Sequence, residues 1–259
     1  MPTIPPHILT DLRTRIARIA RDPARRGAPV ISFNIPAIDQ HLPDHGLAIG
    51  ALHEVAGTGS PTGPHTEHAA AAALFAAGAL ARLRGPVLWV LTRDDLFAPA
   101  LAGVGLHPDR LILAEAGRQV LSVMEEGLRH HGLAGVVGEL DGRLTLTASR
   151  RLQLAAEAAG VTAIVLRRAR RHDDPILAEP NAAMTRWRLT ALPSAPPLPH
   201  APDVPGLGRA RWRLDLLRCR GGEPATWIVE ACDATGHLAL VAELSDRSAA
   251  PLRRRNAAG

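Results

Sequence analysis

The ten residues Gly57-Thr58-Gly59-Ser60-Pro61-Thr62-Gly63-Pro64-His65-Thr66 have the glycine content of a phosphate cradle between a strand and a helix. Such a loop works when consecutive backbone amides meet an anion at a helix amino end and a Lys ammonium reaches the β/γ-phosphates. Gly57, Gly59, Gly63 and Thr66 hold the expected places, but the Lys is gone, because all 30 Lys-plus-Arg residues of the chain are Arg. Pro61 and Pro64 remove two further donors. A coding bias toward Arg explains why Lys is rare, yet it would not remove a Lys that chemistry required. The loop therefore reads as a degenerate P-loop with no catalytic residue and no cofactor, and Thr66 reads as a helix cap before a magnesium ligand. Schiff-base and pyridoxal phosphate chemistry are excluded by the same absence.

Other polar groups are less specific. Glu139, after the apolar run Ala134 to Gly138, sits where nucleotide-hydrolysing folds carry the acid that orients metal-bound water, and Arg93-Asp94-Asp95 is a second acidic site or a helix cap. His65 and His68 share a face without a third ligand, so no metal is expected. No Gly-x-Ser-x-Gly elbow is present, and Ser149 has no activating neighbour. Cys219 and Cys232 read as buried thiols, since nothing supplies paired Cys-x-x-Cys spacing.

Charge points outward to anions. The formal net charge is +5, concentrated in local Arg runs. Arg167, Arg168, Arg170 and Arg171 are candidate DNA contacts, because each guanidinium on a phosphate releases a counterion. Arg150 and Arg151, on a helix expected to begin near Ser149, and Arg253, Arg254 and Arg255 near the carboxy end are candidate anion or partner contacts. Arg at the positive end of a helix is mildly unfavourable, so Glu139, Asp141 or an outside phosphate should offset Arg150 and Arg151.

These residues need a scaffold, and the chain supplies one in the rhythm of βα units. Strands are expected at Val30 to Phe33, Ala51 to Ala56, Val87 to Leu91, Leu111 to Leu113, Ala134 to Leu140 and Val161 to Leu166. Helices are expected from Thr66 to about Arg84, Leu96 to Gly103, Gly117 to His131 and Ser149 to Ala159. Nearly uninterrupted apolar strands are the mark of a parallel sheet covered on both faces. After a mobile loop at Arg167 to Asn181, strands at Thr185 to Thr190, Ala210 to Leu217, Thr226 to Ala231 and Leu238 to Val241 read as antiparallel additions. Ile8, Leu12, Ile16 and Ile19 recur at intervals of three and four, which predicts a detached amphipathic helix over 6 to 21 and a self-association stripe. The organisation is 1–29, helix and linker; 30–245, core; 246–259, flexible tail. No signal peptide or membrane span is visible, and the expected location is the cytoplasm.

Several stretches, weak singly, are distinctive together. Gly50-Ala51-Leu52-His53-Glu54-Val55, Gly85-Pro86-Val87-Leu88-Trp89-Val90, Leu101-Ala102-Gly103-Val104-Gly105-Leu106, Val136-Val137-Gly138-Glu139-Leu140, Leu146 to Glu157 and Thr185-Arg186-Trp187 resemble the ImuA family, RecA-like accessory proteins of bacterial SOS mutagenesis and translesion synthesis. The resemblance implies an α/β fold with a RecA-like three-layer αβα core, a mostly parallel sheet extended by C-terminal antiparallel strands, and a detached N-terminal helix. It implies an adaptor working with an ImuB-like protein and with an error-prone DnaE-type polymerase, directly or through ImuB. Contacts with RecA and DNA, and a homo-oligomer, fall within the same expectation. RecA joins its subunits through an amino-terminal helix and the strand after it, whose counterparts here are residues 6 to 21 and Val30 to Phe33. Where RecA has Gly-Lys-Thr this chain has Gly63-Pro64-His65-Thr66, and the position of RecA's catalytic Glu falls near Arg93 or Asp94. Both departures count against ATP hydrolysis. Two alternatives remain at this level: a DNA-dependent ATPase with a degenerate loop, and a regulator that binds a RecA filament.

Overall fold

The computed structural model describes residues 27–58, 66–168, 178–198, 200–201 and 203–241. Ile8, Leu12, Ile16, Ile19, Gly59, Gly63, Arg170, Arg171, Arg253, Arg254 and Arg255 lie outside them. Among the described residues the chain runs β1 (Val30–Ile31), α1 (Pro36–Asp39), β2 (Leu47–Ala48), β3 (Leu52–Gly57), α2 (Thr66–Ala81), β4 (Val87–Leu91), α3 (Pro99–Ala102) and β5 (Leu111–Glu115). It continues through α4 (Val120–Leu128), β6 (Gly135–Leu140), α5 (Leu146–Ala159), β7 (Thr162–Arg168), β8 (Thr185–Leu192), β9 (Arg211–Cys219), β10 (Ala225–Glu230) and β11 (Ala239–Leu240).

The main sheet has the order β11-β10-β9-β8-β3-β7-β6-β4-β5. Every pairing from β8 to β5 is parallel, and those from β8 to β11 are antiparallel. The segment Thr185 to Thr190, expected as an antiparallel addition, is thus part of a parallel strand beside β3. β1 does not enter this sheet; Val30 and Ile31 pair with Ala48 and Leu47 of the same chain. The strand expected to reach a neighbouring subunit thus pairs with β2 along one edge.

Two apolar layers sandwich the sheet. On one face Phe75 of α2 packs on Phe33 and Trp187, with ring centroids 5.9 and 5.7 Å away. Small residues let this helix, rich in strongly helix-forming Ala, approach closely. A Cβ on Gly57 would lie 2.5 Å from the His68 backbone, so this glycine is required by helix–strand packing whether or not a phosphate ever meets it. On the other face Val120, Met124 and Leu128 of α4 and Leu152 and Ala156 of α5 cover Val136, Ala163 and Val165. Gly138 leaves the room that Met124 fills.

Two boundaries differ from expectation for identifiable reasons. Only Pro99–Ala102 is helical within 96 to 103, its entry set by the fixed φ of Pro99. α5 starts at Leu146, because the Thr145 side chain accepts a hydrogen bond from the Ala148 amide at 3.2 Å and acts as the cap. Ser149 is instead buried, donating to the Leu146 carbonyl and accepting from the Ala182 amide, both at 3.0 Å. Gly160, at φ +68°, closes the helix. Cys219 and Cys232 are free and buried, and desolvation pushes both thiols up to about 12. No described helix is long and apolar enough to cross a membrane.

Candidate functional site at the carboxy-terminal edge of the sheet

Open parallel sheets bind ligands beyond the carboxyl ends of their strands. Here that edge is formed by Gly57 of β3, its register partner Arg168 at the end of β7, Leu140 of β6 and Leu91 of β4. A crevice of about 270 Å³ opens beside it, between the first turns of α2, residues 95–97 and α3, with Glu139 and Arg168 in its wall. Phe97 stands at its mouth, 72% exposed.

Arginine fills the polar end of this crevice. Arg168 forks onto Asp95 through two bonds of 2.6 Å, and its Nε donates to Glu139 Oε2 at 3.1 Å. A second, shorter bond runs from Arg168 Nη2 to the same Glu139 oxygen. The other Glu139 oxygen accepts from Trp89 Nε1 at 2.9 Å. Arg93 donates to Asp141 at 3.1 Å and approaches Asp95 at 3.5 Å. The hydrogen bond from Arg168 holds the Asp95 carboxyl below its ordinary range, and the bond to Asp95 in turn raises the Arg168 pKa against the pull of burial. Fork-to-carboxylate bonds of this kind are among the strongest polar contacts available. Asp95, Glu139 and Asp141 are all committed to guanidiniums, and no cluster of three or more acids, His or Cys able to hold a metal ion occurs among the described residues.

Strand alternation sends Arg167 to the opposite face. There Glu54, completely buried, accepts from Arg186 Nε at 2.6 Å, Asn181 Nδ2 at 2.7 Å and Arg167 Nη1 at 3.4 Å. Arg167 also donates to the Gly142 carbonyl, and Arg186 to the Glu179 carbonyl at 2.7 Å. The described residues leading into β8 lie on this face: Asn181 reaches Glu54, the Ala182 amide donates to Ser149, and Ala183 is buried in the core beneath α4 and α5.

The expected sites therefore scatter. Arg167 and Arg168 lie in a strand, not a mobile loop, and Arg167 is 4% exposed with its guanidinium on Glu54 and Gly142, so neither is placed as an open DNA contact. Arg150 and Arg151 occupy the second turn of α5, beyond the reach of the end dipole, and Arg151 pairs with Glu125 of α4 at 2.7 Å. Neither Glu139 nor Asp141 offsets them. Thr66 is the first residue of α2, and His68 Nδ1 accepts from the Ala191 amide at 3.1 Å, tying that helix to β8. Sequence reasoning overlooked Glu54, Asn181 and Arg186. An acid inside an apolar strand was the available signal, since a buried carboxylate demands partners.

No protein-family model matches the chain. Two proteins described as Protein ImuA, from Caulobacter vibrioides strains NA1000 / CB15N and ATCC 19089 / CIP 103742 / CB 15, are each 41% identical to it over 236 residues, covering 87% of this chain and 94% of the relative. The solved RadB recombinase is similar in structure, with a TM-score of 0.50 at 18% identity over 82% of this chain and 99% of that one. At that identity the likeness establishes the fold alone, a RecA-like αβα sheet with carboxy-terminal antiparallel strands.

Proposed function

Because the chain belongs to the ImuA family of RecA-like proteins associated with the SOS response and DNA repair, we propose that it is a non-catalytic adaptor of a mutagenic translesion-synthesis complex. In this reading it links an ImuB-like protein, and through it or directly an error-prone DnaE-type polymerase, to DNA or to RecA. One observation carries the non-catalytic part: Arg168 closes the Asp95 and Glu139 carboxylates at the edge where a metal-bound nucleotide would need them. Guanidinium and metal ion compete for the same oxygen lone pairs, and the guanidinium is built in. The DNA role assigned to the Arg167 cluster passes to Arg170 and Arg171, the Arg253 to Arg255 run supplies a basic partner contact, and the Ile8, Leu12, Ile16 and Ile19 stripe serves self-association.

An adaptor whose crevice carboxylates are held by Arg168 has no nucleotide-gated state. Purified full chain should capture the ImuB-like protein equally well with and without magnesium-ATP. Capture that appears only with ATP, or that is abolished by it, would contradict the proposal.

A further inference from the structure

Helices α4 and α5 pack on β3, β4, β6 and β7, and their cover stops there. Beyond β3, the same side of β8 and β9 carries arginines, and that of β10 carries Thr226, Ile228 and Glu230. In cross-strand register Arg188 faces Asp215, and Asp215 faces Thr226; one row away Arg213 stands 45% exposed, and two residues further along β9 is Arg211, opposite Glu230, whose carboxylate pairs with Arg209 at 3.3 Å. Asp215 is the one carboxylate shared by two of them, accepting from Arg213 at 3.0 Å and from Arg188 and Thr226 at 3.1 and 2.8 Å. Burial opposes its charge, yet these three donors hold its pKa below the ordinary range. The bookends are positive as well: Arg218 has its pKa lowered by burial first and then by Arg186 and Arg220. Arg211 Nε is buried with no hydrogen-bond partner.

We propose that this uncovered face of the antiparallel extension binds the sugar–phosphate backbone of single-stranded DNA. The inference deepens the DNA arm of the adaptor reading and rests on it. Arg211 and Arg213, alternate residues of one strand, lie about 6.7 Å apart on one side; with Nε of Arg213 on Asp215 and Nε of Arg211 buried, their terminal nitrogens are the groups that meet successive phosphates. A protein partner would ask for aromatic anchors at the centre of the patch. Trp187, Trp212 and Trp227 all turn the other way, into or against the α2-side core. With no ring on the face there is no platform for stacking bases, so recognition is electrostatic and indifferent to sequence. The described residues leading into β8 lie on this same side, where the Asn181 carbonyl accepts from Arg218 at 2.8 Å.

The test is fluorescence anisotropy of a labelled single-stranded oligonucleotide titrated with the full chain across a salt series. Arg211→Ser/Arg213→Ser leaves Arg188 on Asp215, so the fold should persist. It should weaken binding about 10-fold at 0.1 M salt and reduce the salt slope by about 1.4, the share of two single-strand phosphates. Arg211→Lys/Arg213→Lys should retain the slope, which a purely structural role would not predict. Parental affinity and slope in the folded Ser variant would overturn the surface, as would an absence of binding by the parent at about 50 mM salt. If Arg170 and Arg171 alone prove responsible, this face fails while the adaptor reading stands. Loss of ImuB-like capture with DNA affinity unchanged would make it a protein surface and also overturn the proposal.

Discussion

Glu54→Ala should lower the free energy of unfolding by about 3–5 kcal/mol, the cost of stranding buried charge when one partner of an ion pair is removed. Glu54 is buried completely, and Arg167 and Arg186 both direct guanidinium groups at it. Removing the carboxylate leaves two cations close together beneath the residues leading into β8, and takes away the acceptor that orients Asn181. A loss of that size is a large fraction of the roughly 5–15 kcal/mol of a typical domain. Urea denaturation followed by circular dichroism reads it directly. A change below about 1 kcal/mol would mean that water relaxes into the site and that the network does not fasten those residues.

Arg168→Ala should have a smaller stability cost and a larger chemical one. Its side chain is about a quarter exposed, so the loss is discounted to about 1–3 kcal/mol. The sign with pH follows from Asp95. Its carboxyl titrates below the ordinary range while Arg168 is present, so the stabilisation exists above about pH 3.9 and disappears as pH falls through the depressed value. The parent and variant should therefore differ most near neutrality and converge in acid. At neutral pH the variant also leaves Asp95 and Glu139 without their shared guanidinium. Millimolar magnesium or manganese should then raise its melting temperature, while the parent, at equal ionic strength, shows no such shift. Equal shifts in both proteins would show that Arg168 does not occupy the cation's place.

The sequence shows how unevenly fold and site can be read. Val87 to Leu91 and Val161 to Leu166 are apolar because both faces are covered, and that run length was enough to place them as parallel strands. Strand order was a different matter: nothing local in Thr185 to Leu192 tells whether it lies parallel or antiparallel to β3. The same blindness hid the Glu54 network. His53-Glu54 is adjacent in sequence, but Glu54, Arg167 and Arg186 meet only after β7 and β8 settle on either side of β3 in the right register. Arg167 and Arg168 looked alike as neighbours in a basic run, and only the alternation of a strand continuing to Arg168 separated them onto opposite faces. The helix expected to begin near Ser149 starts earlier, at Leu146, because Thr145 caps it while Ser149 is buried against Ala182. The missing Lys needed no structure at all.

Isothermal calorimetry with magnesium-ATP at millimolar concentration, with and without single-stranded DNA, tests the adaptor account most directly. The account predicts no saturable heat and no DNA-stimulated phosphate release, because the loop lacks its Lys and two amide donors and Arg168 holds Asp95 and Glu139. A dissociation constant of about 1 μM, equivalent to about 8 kcal/mol of binding, accompanied by DNA-stimulated phosphate release, would contradict it.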